Sequence, residues 1–319
     1  MIIYKYFQFF ITDYQLLITN YQLPITNFML VHIKEILKKA QTKEYAVGAF
    51  NVANLETTLG VVRAAAKTNS PVIVQVSETT IEYAGLKPIT HIVETIAKNE
   101  AVKVPVALHL DHGKSFRSVA ECINAGFSSI HIDASELPFD ENVVLTKQTV
   151  DYSHKNNVWA QGELGILRGT EDKVKTPEDL APFFTDPDDA QEFVKKTNID
   201  TLAVSIGNMH GIKKFREIGV PDLDLKRLEK IHHKLPDIPI VLHGASGIKE
   251  DQIRGSIKLG VRVVNIDTEL RLAFSKSLRQ TLEKDSMLYD PRKILSPSID
   301  AIQAVVESKI KMFGSDDKA

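Results

Sequence analysis

Three histidines of this chain stand directly before a glycine, and each closes a short apolar run. They are His112 in Leu-His-Leu-Asp-His-Gly, His210 in Ile-Gly-Asn-Met-His-Gly and His243 in Ile-Val-Leu-His-Gly. An apolar run that ends in polar residues indicates a buried parallel strand at its C-terminal end. Three imidazoles from three strand ends can converge on one metal ion and leave a fourth position open, as in catalytic zinc sites. The spacing therefore predicts a catalytic metal centre.

A carboxylate, Asp111, directly precedes the first of these histidines. Adjacent strand residues normally face opposite ways, but the twist at a strand end can bring Asp111 and His112 to the same rim. A carboxylate beside a metal-bound substrate oxygen can move a proton to and from a neighbouring hydroxyl. The alternative that remains open is a carboxylate that orients a ligand histidine. His109 and His131 lie within strands, so we expect them to be hydrogen-bonded barrel residues or to support the ligands from behind.

Glycines, hydroxyls and a lysine follow the last predicted strands. They occur in His-Gly-Ile-Lys-Lys (210–214) and Gly-Ala-Ser-Gly (244–247), and Asn-Ile-Asp-Thr (265–268) ends a strand and opens a helix. Backbone N–H groups from several loops, a helix N-terminus and an ammonium group favour a bound phosphate. Since barrel enzymes commonly bind phosphate after strands seven and eight, the combination predicts a phosphate site there.

Eight strand-like segments alternate with helical patterns from residue 46 onward. The strands are predicted at 46–52, 71–77, 104–111, 129–134, 159–165, 201–207, 239–245 and 261–267. The helices are predicted near 54–67, 88–99, 115–124, 140–156, 187–196, 224–234, 249–258 and 268–283, with one or two more in 290–313. Eight βα units predict an α/β fold, a (β/α)₈ TIM barrel with extra C-terminal helices. A doubly wound open sheet is the rival, but no Gly-x-Gly-x-x-Gly follows any strand.

Composition and charge exclude several classes of protein. A net charge of −2 over 319 residues gives no electrostatic reason to expect a nucleic acid or membrane partner. The single cysteine, Cys122, rules out an internal disulfide framework and favours the cytoplasm. Residues 1–28 carry a near-repeat of seven residues but no secretory signal, so we interpret them as an N-terminal extension or start-site artefact. Residues 29–319 are expected to form one domain that opens with an amphipathic helix at Met29. The long irregular stretch 168–186 is interpreted as a functional lid.

Six motifs in order resemble the class II, zinc-dependent fructose-bisphosphate aldolase family, in its short-loop subgroup close to tagatose-bisphosphate aldolases. They are Gly-Ala-Phe-Asn-Val (48–52), Leu-His-Leu-Asp-His-Gly (108–113), Gly-Glu-Leu-Gly (162–165), Gly-Asn-Met-His-Gly (207–211), Leu-His-Gly-Ala-Ser-Gly (242–247) and Val-Asn-Ile-Asp-Thr-Glu-Leu-Arg (264–271). The similarity runs from about Met29 to Phe313. It implies a TIM-barrel lyase, a homodimer or homotetramer, that reversibly cleaves fructose 1,6-bisphosphate to dihydroxyacetone phosphate and glyceraldehyde 3-phosphate in glycolysis and gluconeogenesis.

The resemblance also implies roles for individual residues. Zinc would bind His112, His210 and His243, with a second or displaced divalent ion at Asp133 and Glu163 and a monovalent cation nearby. Asp111 would be the acid/base at the C4 oxygen, and Glu171, on the mobile loop, would move the C1 proton of dihydroxyacetone phosphate. The implied substrate contacts are Asn51, Ser77, Gly211, Lys214, Gly244, Ser246, Asn265, Asp267, Thr268, Arg271 and Arg292. One of the two arginines is expected from a neighbouring subunit.

Reaction chemistry agrees with this resemblance and leaves two alternatives. Cleaving a C3–C4 bond leaves a carbanion beside a carbonyl, which a Lewis-acid metal can stabilise without a Schiff-base lysine. Tagatose 1,6-bisphosphate is the nearest alternative substrate, although Asp267 favours the fructose epimer because the tagatose enzymes usually carry alanine there. A zinc hydrolase on a barrel would need the same histidines but not two phosphate sites. The chain departs from the family's pattern at Asn208-Met209, at Lys213 and in the lid at 172–174.

Overall fold

The computed structural model describes residues 30–166, 181, 183–212 and 219–319, and they contain a closed barrel of eight parallel strands. The strands are β1 Val47–Asn51, β2 Val72–Ser77, β3 Val106–Gly113, β4 Ser129–Ile132, β5 Trp159–Leu164, β6 Thr201–Val204, β7 Ile240–Leu242 and β8 Val261–Ile266. Each strand pairs with the next along the chain, and β8 closes the barrel on β1. All eight predicted strands are present, so the TIM-barrel prediction is confirmed and the open-sheet alternative is excluded.

Helices alternate with the strands and surround the barrel. Within the described residues they are α1 Ile33–Lys43, α2 Leu55–Lys67, α3 Glu78–Ala84, α4 Leu86–Glu100, α5 Phe116–Asn124, α6 Phe139–Lys155, α7 Pro187–Thr197, α8 Leu225–Lys234, α9 Glu250–Lys258, α10 Thr268–Lys284 and α11 Pro291–Phe313. The predicted C-terminal addition is a single long helix, α11. Helix α1 starts at Ile33 rather than Met29, because the His32 side chain accepts from the Lys34 N–H and caps it.

Helix α3 is the element that the sequence prediction lacks. It follows β2 without a loop, and its seven residues include Thr79, Thr80 and Ile81, whose branched side chains lower helix propensity. The Ser77 hydroxyl accepts a 3.3 Å hydrogen bond from the Thr80 N–H and begins the helix. Ser77 therefore ends a strand and caps a helix, which fixes its side chain at the rim of the barrel.

The barrel interior is closed at its N-terminal end by α1. Ile36 and Leu37 of this helix pack against small and β-branched side chains that point inward from the strand starts. Those inward residues are Val47, Ala49, Ile73, Ala107, Ala203, Val241 and Val263. Because side chains alternate along a strand, the residues two and four positions later also point inward, but at the opposite end of the barrel. The apolar plug thus determines which side chains reach the C-terminal rim.

The opposite face of each strand packs against the helices in one large apolar core. Helix α11 lies across α2 and α10, and the α2 contact is close at Gly60. A Cβ atom there would lie 2.6 Å from Ile302 Cγ2, so only glycine permits this approach. Among the described helices, none is long and apolar enough to cross a membrane.

Candidate active site

Strand alternation places most of the predicted site residues at the C-terminal rim. Asn51 lies two residues after the inward Ala49, Asp111 four after Ala107, and His243 two after Val241. The same alternation carries Asn265 and Asp267 inward from Val263, and Ser77 from Ile73. The rim is therefore the polar continuation of the apolar plug. The C-terminal face is also where barrel enzymes build their active sites.

His112 breaks this alternation and still reaches the rim. Its backbone has φ +50°, the left-handed conformation that residues other than glycine rarely adopt. The β3–β4 register also shifts between Leu110 and Gly113. A strand irregularity of this kind redirects one side chain, and such strain is concentrated at functional sites. The result is that Asp111 and His112 lie on the same side, with 3.8 Å between Asp111 Oδ1 and His112 Nε2. The sequence prediction attributed this to strand twist, whereas the structure shows a shifted register and a positive φ.

Four imidazoles meet at the rim, and we call His112, His131, His210 and His243 the histidine cluster. The ring centroid of His112 lies 5.1 Å from that of His210 and 4.7 Å from that of His243, and the last two are 5.9 Å apart. The structure thus brings together the three histidines whose spacing predicted a metal centre. His131 joins them, with its ring 4.7 Å from His112 and 5.1 Å from His243.

The hydrogen bonds of the cluster determine which nitrogens can bind a metal ion. His112 Nδ1 lies 2.7 Å from Asp133 Oδ2, so Nδ1 donates to the carboxylate and Nε2 is the ring atom left to bind a metal ion. That Nε2 faces His243 Nδ1 at 2.9 Å, while His243 Nε2 lies 2.8 Å from the side-chain amide of Gln161. The Gln161 atom that faces His243 is the amide nitrogen, Nε2. Turning this amide by 180° would let its oxygen accept from His243 Nε2–H and leave Nδ1 of His243 available as a ligand. A carboxylate and an amide thus orient two ligand histidines from behind.

Electrostatics favour metal binding at this cluster. Burial and the neighbouring imidazoles hold the pKa of His243 well below its usual value and lower that of His131 to about 3, so both rings are neutral. Burial also lowers the pKa of His112, but Asp111 and Asp133 outweigh it and raise the pKa to about 10. A metal ion at His112 Nε2 would replace the proton that these carboxylates otherwise favour.

The donor set fits a divalent metal ion. Asp111, His112, His131 and His243 each offer one ligand atom, and these atoms lie within 4.8 Å of one another. A second group, His112, His131, Asp133 and Glu163, meets the same condition. Among the described residues, Asp111 Oδ1, His131 Nε2 and Glu163 Oε2 are buried without a hydrogen-bond partner. Buried polar atoms without partners are costly, and a cation between them would satisfy them.

Glu163 and Asp133 lie beneath the cluster rather than in the cavity above it. Glu163 is 1% exposed, and its Oε2 lies 3.4 Å from His131 Nε2 and 4.0 Å from His243 Nδ1. Burial and the charge of Asp133 raise the pKa of the Glu163 carboxyl well above its usual value. Burial would also raise the pKa of Asp133, but its hydrogen bond to His112 and the adjacent imidazoles lower it instead. The two carboxyls are thus pushed toward opposite protonation states.

Asp111 faces the cavity with its carboxylate held in place. Asn51 Nδ2 donates a 2.7 Å hydrogen bond to Oδ2, and the residue is 8% exposed. Burial favours the protonated acid, but the charge of His112 and the Asn51 hydrogen bond outweigh it and lower the pKa of Asp111. An ionised, oriented carboxylate beside ligand-competent imidazoles has the chemistry of a general base.

A cavity of about 530 Å³ opens above these residues. Twelve of the predicted site residues line it: Asn51, Ser77, Asp111, His112, His210, Gly211, Gly244, Ser246, Asn265, Asp267, Thr268 and Arg271. Gly244 has φ +58°, and a Cβ there would lie 2.5 Å from the Met209 carbonyl oxygen. Only glycine therefore fits where the loop after β7 crosses the loop after β6. The predicted polar corner is a single cavity wall built from three successive strand ends.

Other predicted residues lie away from this cavity or outside the described structure. Arg292 begins α11, is exposed, and pairs with Asp290 at 3.0 Å. Glu171, Lys214, residues 1–28 and most of the predicted lid lie outside the described residues. Their roles stay predictions.

Beyond the geometry of the site, the sequence is similar to that of a known family along nearly the whole chain. The family model described as fructose-bisphosphate aldolase class-II matches residues 31–318. The chain belongs to this family. Class II aldolases are metal-dependent, and in this aldolase Asp111, His112, His131 and His243 form a group that can hold a metal ion. His210 is in neither of the two groups whose ligand atoms lie within 4.8 Å of one another.

Curated and solved relatives agree with the family assignment. A fructose-bisphosphate aldolase of Geobacillus stearothermophilus is 45% identical over 291 residues, covering 91% of this chain and 99% of the relative. A 6-phospho-5-dehydro-2-deoxy-D-gluconate aldolase of Bacillus subtilis (strain 168) is 41% identical, covering 91% and 97%. The solved YdjI aldolase of Escherichia coli K12 superposes with a TM-score of 0.78 at 32% identity, covering 91% and 100%. The predictions of an aldolase and of a TIM-barrel lyase are confirmed.

Sequence reasoning missed two structural roles in this aldolase. Asn208, noted only as a departure from the family's pattern, donates 3.1 Å hydrogen bonds from Nδ2 to the carbonyls of Val204 and His243, and its Oδ1 accepts from Ile206. This side chain ends β6 early and ties the loops that carry His210 and His243. Gln161 orients His243 from inside a strand. Alternation from the start of β5 could have identified Gln161, but no local pattern marks Asn208.

Proposed function

We propose that this aldolase reversibly cleaves fructose 1,6-bisphosphate to dihydroxyacetone phosphate and glyceraldehyde 3-phosphate, using zinc bound by His112, His210 and His243. The observation that carries the proposal is the convergence of His112, His210 and His243 with Asp111, of which Asp111, His112 and His210 line one polar cavity. The name of the Geobacillus stearothermophilus relative supports the substrate.

Proton transfer at C4 is the step that the described residues explain best. Zinc held by the three histidines would supply a Lewis acid beside the ketone carbonyl. Asp111 takes the proton of the C4 hydroxyl, the C4 oxygen becomes the aldehyde carbonyl, and the electron pair of the C3–C4 bond moves toward C3 and the adjacent carbonyl. Asn51 keeps the Asp111 carboxylate aimed at that hydroxyl. Glu171 remains our proposal for the group that then moves the proton on the ketone half.

Two groups of residues that line the cavity would hold the two phosphates. Gly211, Gly244, Ser246 and Thr268 would bind the phosphate of the ketone half, together with Lys214 and Asp267, while Asn265 would contact the ketone itself. Ser77 and Arg271 line the same cavity and would bind the second phosphate. Arg271 Nε lies 2.7 Å from Asp267 Oδ1, so this carboxylate sets the direction of the guanidinium. Asp133 and Glu163 would hold a second or displaced divalent ion.

The quaternary structure and compartment follow from the same proposal. We propose a homodimer or homotetramer in which Arg292, exposed at the start of α11, contributes to the second phosphate site of a neighbouring subunit. A cytoplasmic enzyme fits the single cysteine, which is buried and unpaired by any disulfide.

The aldehyde half is where other substrates would differ. The Bacillus subtilis relative is named for 6-phospho-5-dehydro-2-deoxy-D-gluconate, and its identity of 41% is close to the 45% of the fructose-bisphosphate aldolase. That substrate carries a carboxylate where fructose 1,6-bisphosphate carries its second phosphate. Tagatose 1,6-bisphosphate differs only at C4.

Aldol cleavage of these three substrates, with and without a chelator, tests the proposed function. We expect the highest kcat/KM with fructose 1,6-bisphosphate and loss of activity after chelation, restored by zinc. Equal rates on the two bisphosphate epimers, or a preference for the carboxylate substrate, would overturn the substrate assignment. Activity that survives complete metal removal would overturn the metal mechanism.

A further inference from the structure

An ion pair lies beside the turn formed by residues 244–247, which we call the phosphate turn. Lys309 Nζ of α11 lies 2.8 Å from Oε2 and 2.9 Å from Oε1 of Glu269. The Lys309 side chain is 10% exposed and that of Glu269 is 21% exposed. Lys309 belongs to the C-terminal helix and does not line the cavity, whereas Glu269 follows Thr268, which does. The pair therefore links the outer helical layer to the cavity wall.

Glu269 holds the phosphate turn by two hydrogen bonds. Its carboxylate accepts from the Gly247 N–H, and its own N–H donates to Ser246 Oγ at 3.4 Å. Gly244 and Gly247 have φ values of +58° and +80°. Glycine adopts positive and negative φ about equally readily, so neither glycine by itself holds the turn in this conformation. The Ala245 N–H ties the turn to the Asn265 carbonyl at 3.3 Å, and Glu269 adds a side-chain tie at its other end. Lys309 in turn fixes the position of Glu269.

Lys309 neutralises the negative charge of Glu269, which would otherwise oppose phosphate binding at the turn. A carboxylate beside the turn and the first turn of α10 would repel an anion at the place where backbone N–H groups should attract it. Like charges a few ångströms apart in a partly buried site repel one another unless they are neutralised. The Lys309 ammonium lies within 2.9 Å of both carboxylate oxygens and compensates this charge. The carboxylate can then act as a hydrogen-bond acceptor without opposing a phosphate.

We propose that Lys309 is a positioning residue for the phosphate of the substrate's ketone half, acting through Glu269 on the phosphate turn. This inference rests on the proposed function, because the phosphate is that of the proposed substrate. It predicts that the sign of the charge at each position, and not only the presence of a side chain, determines phosphate affinity.

Substitution of each partner tests this with binding and kinetic readouts. Lys309→Met should raise the Kd of the zinc-loaded protein for inorganic phosphate, and the KM for dihydroxyacetone phosphate in the condensation direction, roughly tenfold or more, with a smaller change in kcat. Lys309→Arg should restore both values. Glu269→Gln keeps an oxygen that accepts from the Gly247 N–H but removes the negative charge, so it should leave the Kd unchanged or lower it.

A matched control is a second lysine–glutamate pair whose glutamate is on α11. Lys67 Nζ of α2 pairs with Glu307 of α11 at 2.9 Å, away from the cavity, so Lys67→Met should not change either constant. A folded Lys309→Met protein with wild-type Kd and KM would overturn the inference, and so would a Glu269→Gln protein that binds phosphate as weakly as Lys309→Met. If Lys309→Met does not fold, Glu269→Gln and Lys309→Arg decide, since weaker phosphate binding in either contradicts charge compensation. A wild type inactive on sugar bisphosphates would refute the proposed function, while the phosphate titration would still test the ion pair.

Discussion

Replacing Asp111 by asparagine should separate proton transfer from metal binding. Asparagine keeps the size of the side chain and an oxygen that can accept the 2.7 Å hydrogen bond from Asn51. It removes the negative charge that takes the C4 hydroxyl proton in the proposed mechanism. The variant should therefore retain the cavity and the histidine cluster but lose the base.

The expected loss of rate is that of removing a general base, while the metal ligands keep their contacts. A positioned general base contributes roughly 10²- to 10⁴-fold in rate, or about 3–5 kcal/mol of transition-state stabilisation. Metal affinity should change little, because Asp133 still lies 2.7 Å from Nδ1 of His112 and still orients that ligand. We expect kcat to decrease by a factor within that range, and bound zinc to stay near the wild-type stoichiometry.

The assay is steady-state cleavage of fructose 1,6-bisphosphate, with metal content measured on the same samples. Asp133→Asn is the matched control, since it makes the same chemical change at the carboxylate behind His112. That variant should lower zinc affinity roughly 10- to 100-fold, and excess zinc should restore much of its activity. Loss of zinc from Asp111→Asn would make Asp111 a ligand or an orienting group, as the sequence alone allowed. Near-normal turnover by the variant would show that another group takes the proton.

Three further predictions concern the metal, the loop after β7 and the cysteine. Chelation should abolish cleavage, and borohydride with substrate should not inactivate the enzyme, because no lysine forms a Schiff base; inactivation by borohydride would contradict this. Gly244→Ala should lower the free energy of unfolding in urea by about 1–3 kcal/mol, because the added Cβ meets the Met209 carbonyl, and unchanged stability would refute the clash. Burial and nearby acidic residues raise the pKa of Cys122 to about 12, so its thiol stays protonated at pH 8 and should resist thiol reagents until the protein unfolds; rapid labelling of the native protein would contradict its burial.

The fold was largely predictable because each strand carries its own apolar pattern. Runs such as Val72–Val76 end in polar residues where the barrel ends, so the pattern alone places each strand to within a few residues. Strands β6 and β7 are shorter than predicted because side chains take over their backbone hydrogen bonds. Asn208 binds the Val204 carbonyl and the Ile206 N–H, groups that would otherwise continue the β6 ladder. A side chain that takes the place of a neighbouring strand's hydrogen-bonding groups leaves no periodic pattern in the sequence.

The site was predictable where it repeats the alternation and less so where backbone geometry or long-range packing decides. His243 and Asn265 follow from counting along their strands. His112 needs a positive φ and a register shift that no propensity predicts, and His131 joins the cluster although its position within a strand suggested only a supporting role. The pairing of Lys309 with Glu269 joins residues 40 positions apart and depends on how α11 packs across α10. Contacts of this kind arise from tertiary structure and not from local sequence.

Anomalous scattering at the zinc edge, from crystals of the zinc-loaded protein, would locate the metal ion and its ligands. We predict one strong peak about 2.0–2.1 Å from Nε2 of His112, from Nδ1 of His243 and from a ring nitrogen of His210, facing the cavity with an open position. A peak held instead by His131 and Glu163 beneath the cluster, or no peak at the rim, would contradict it.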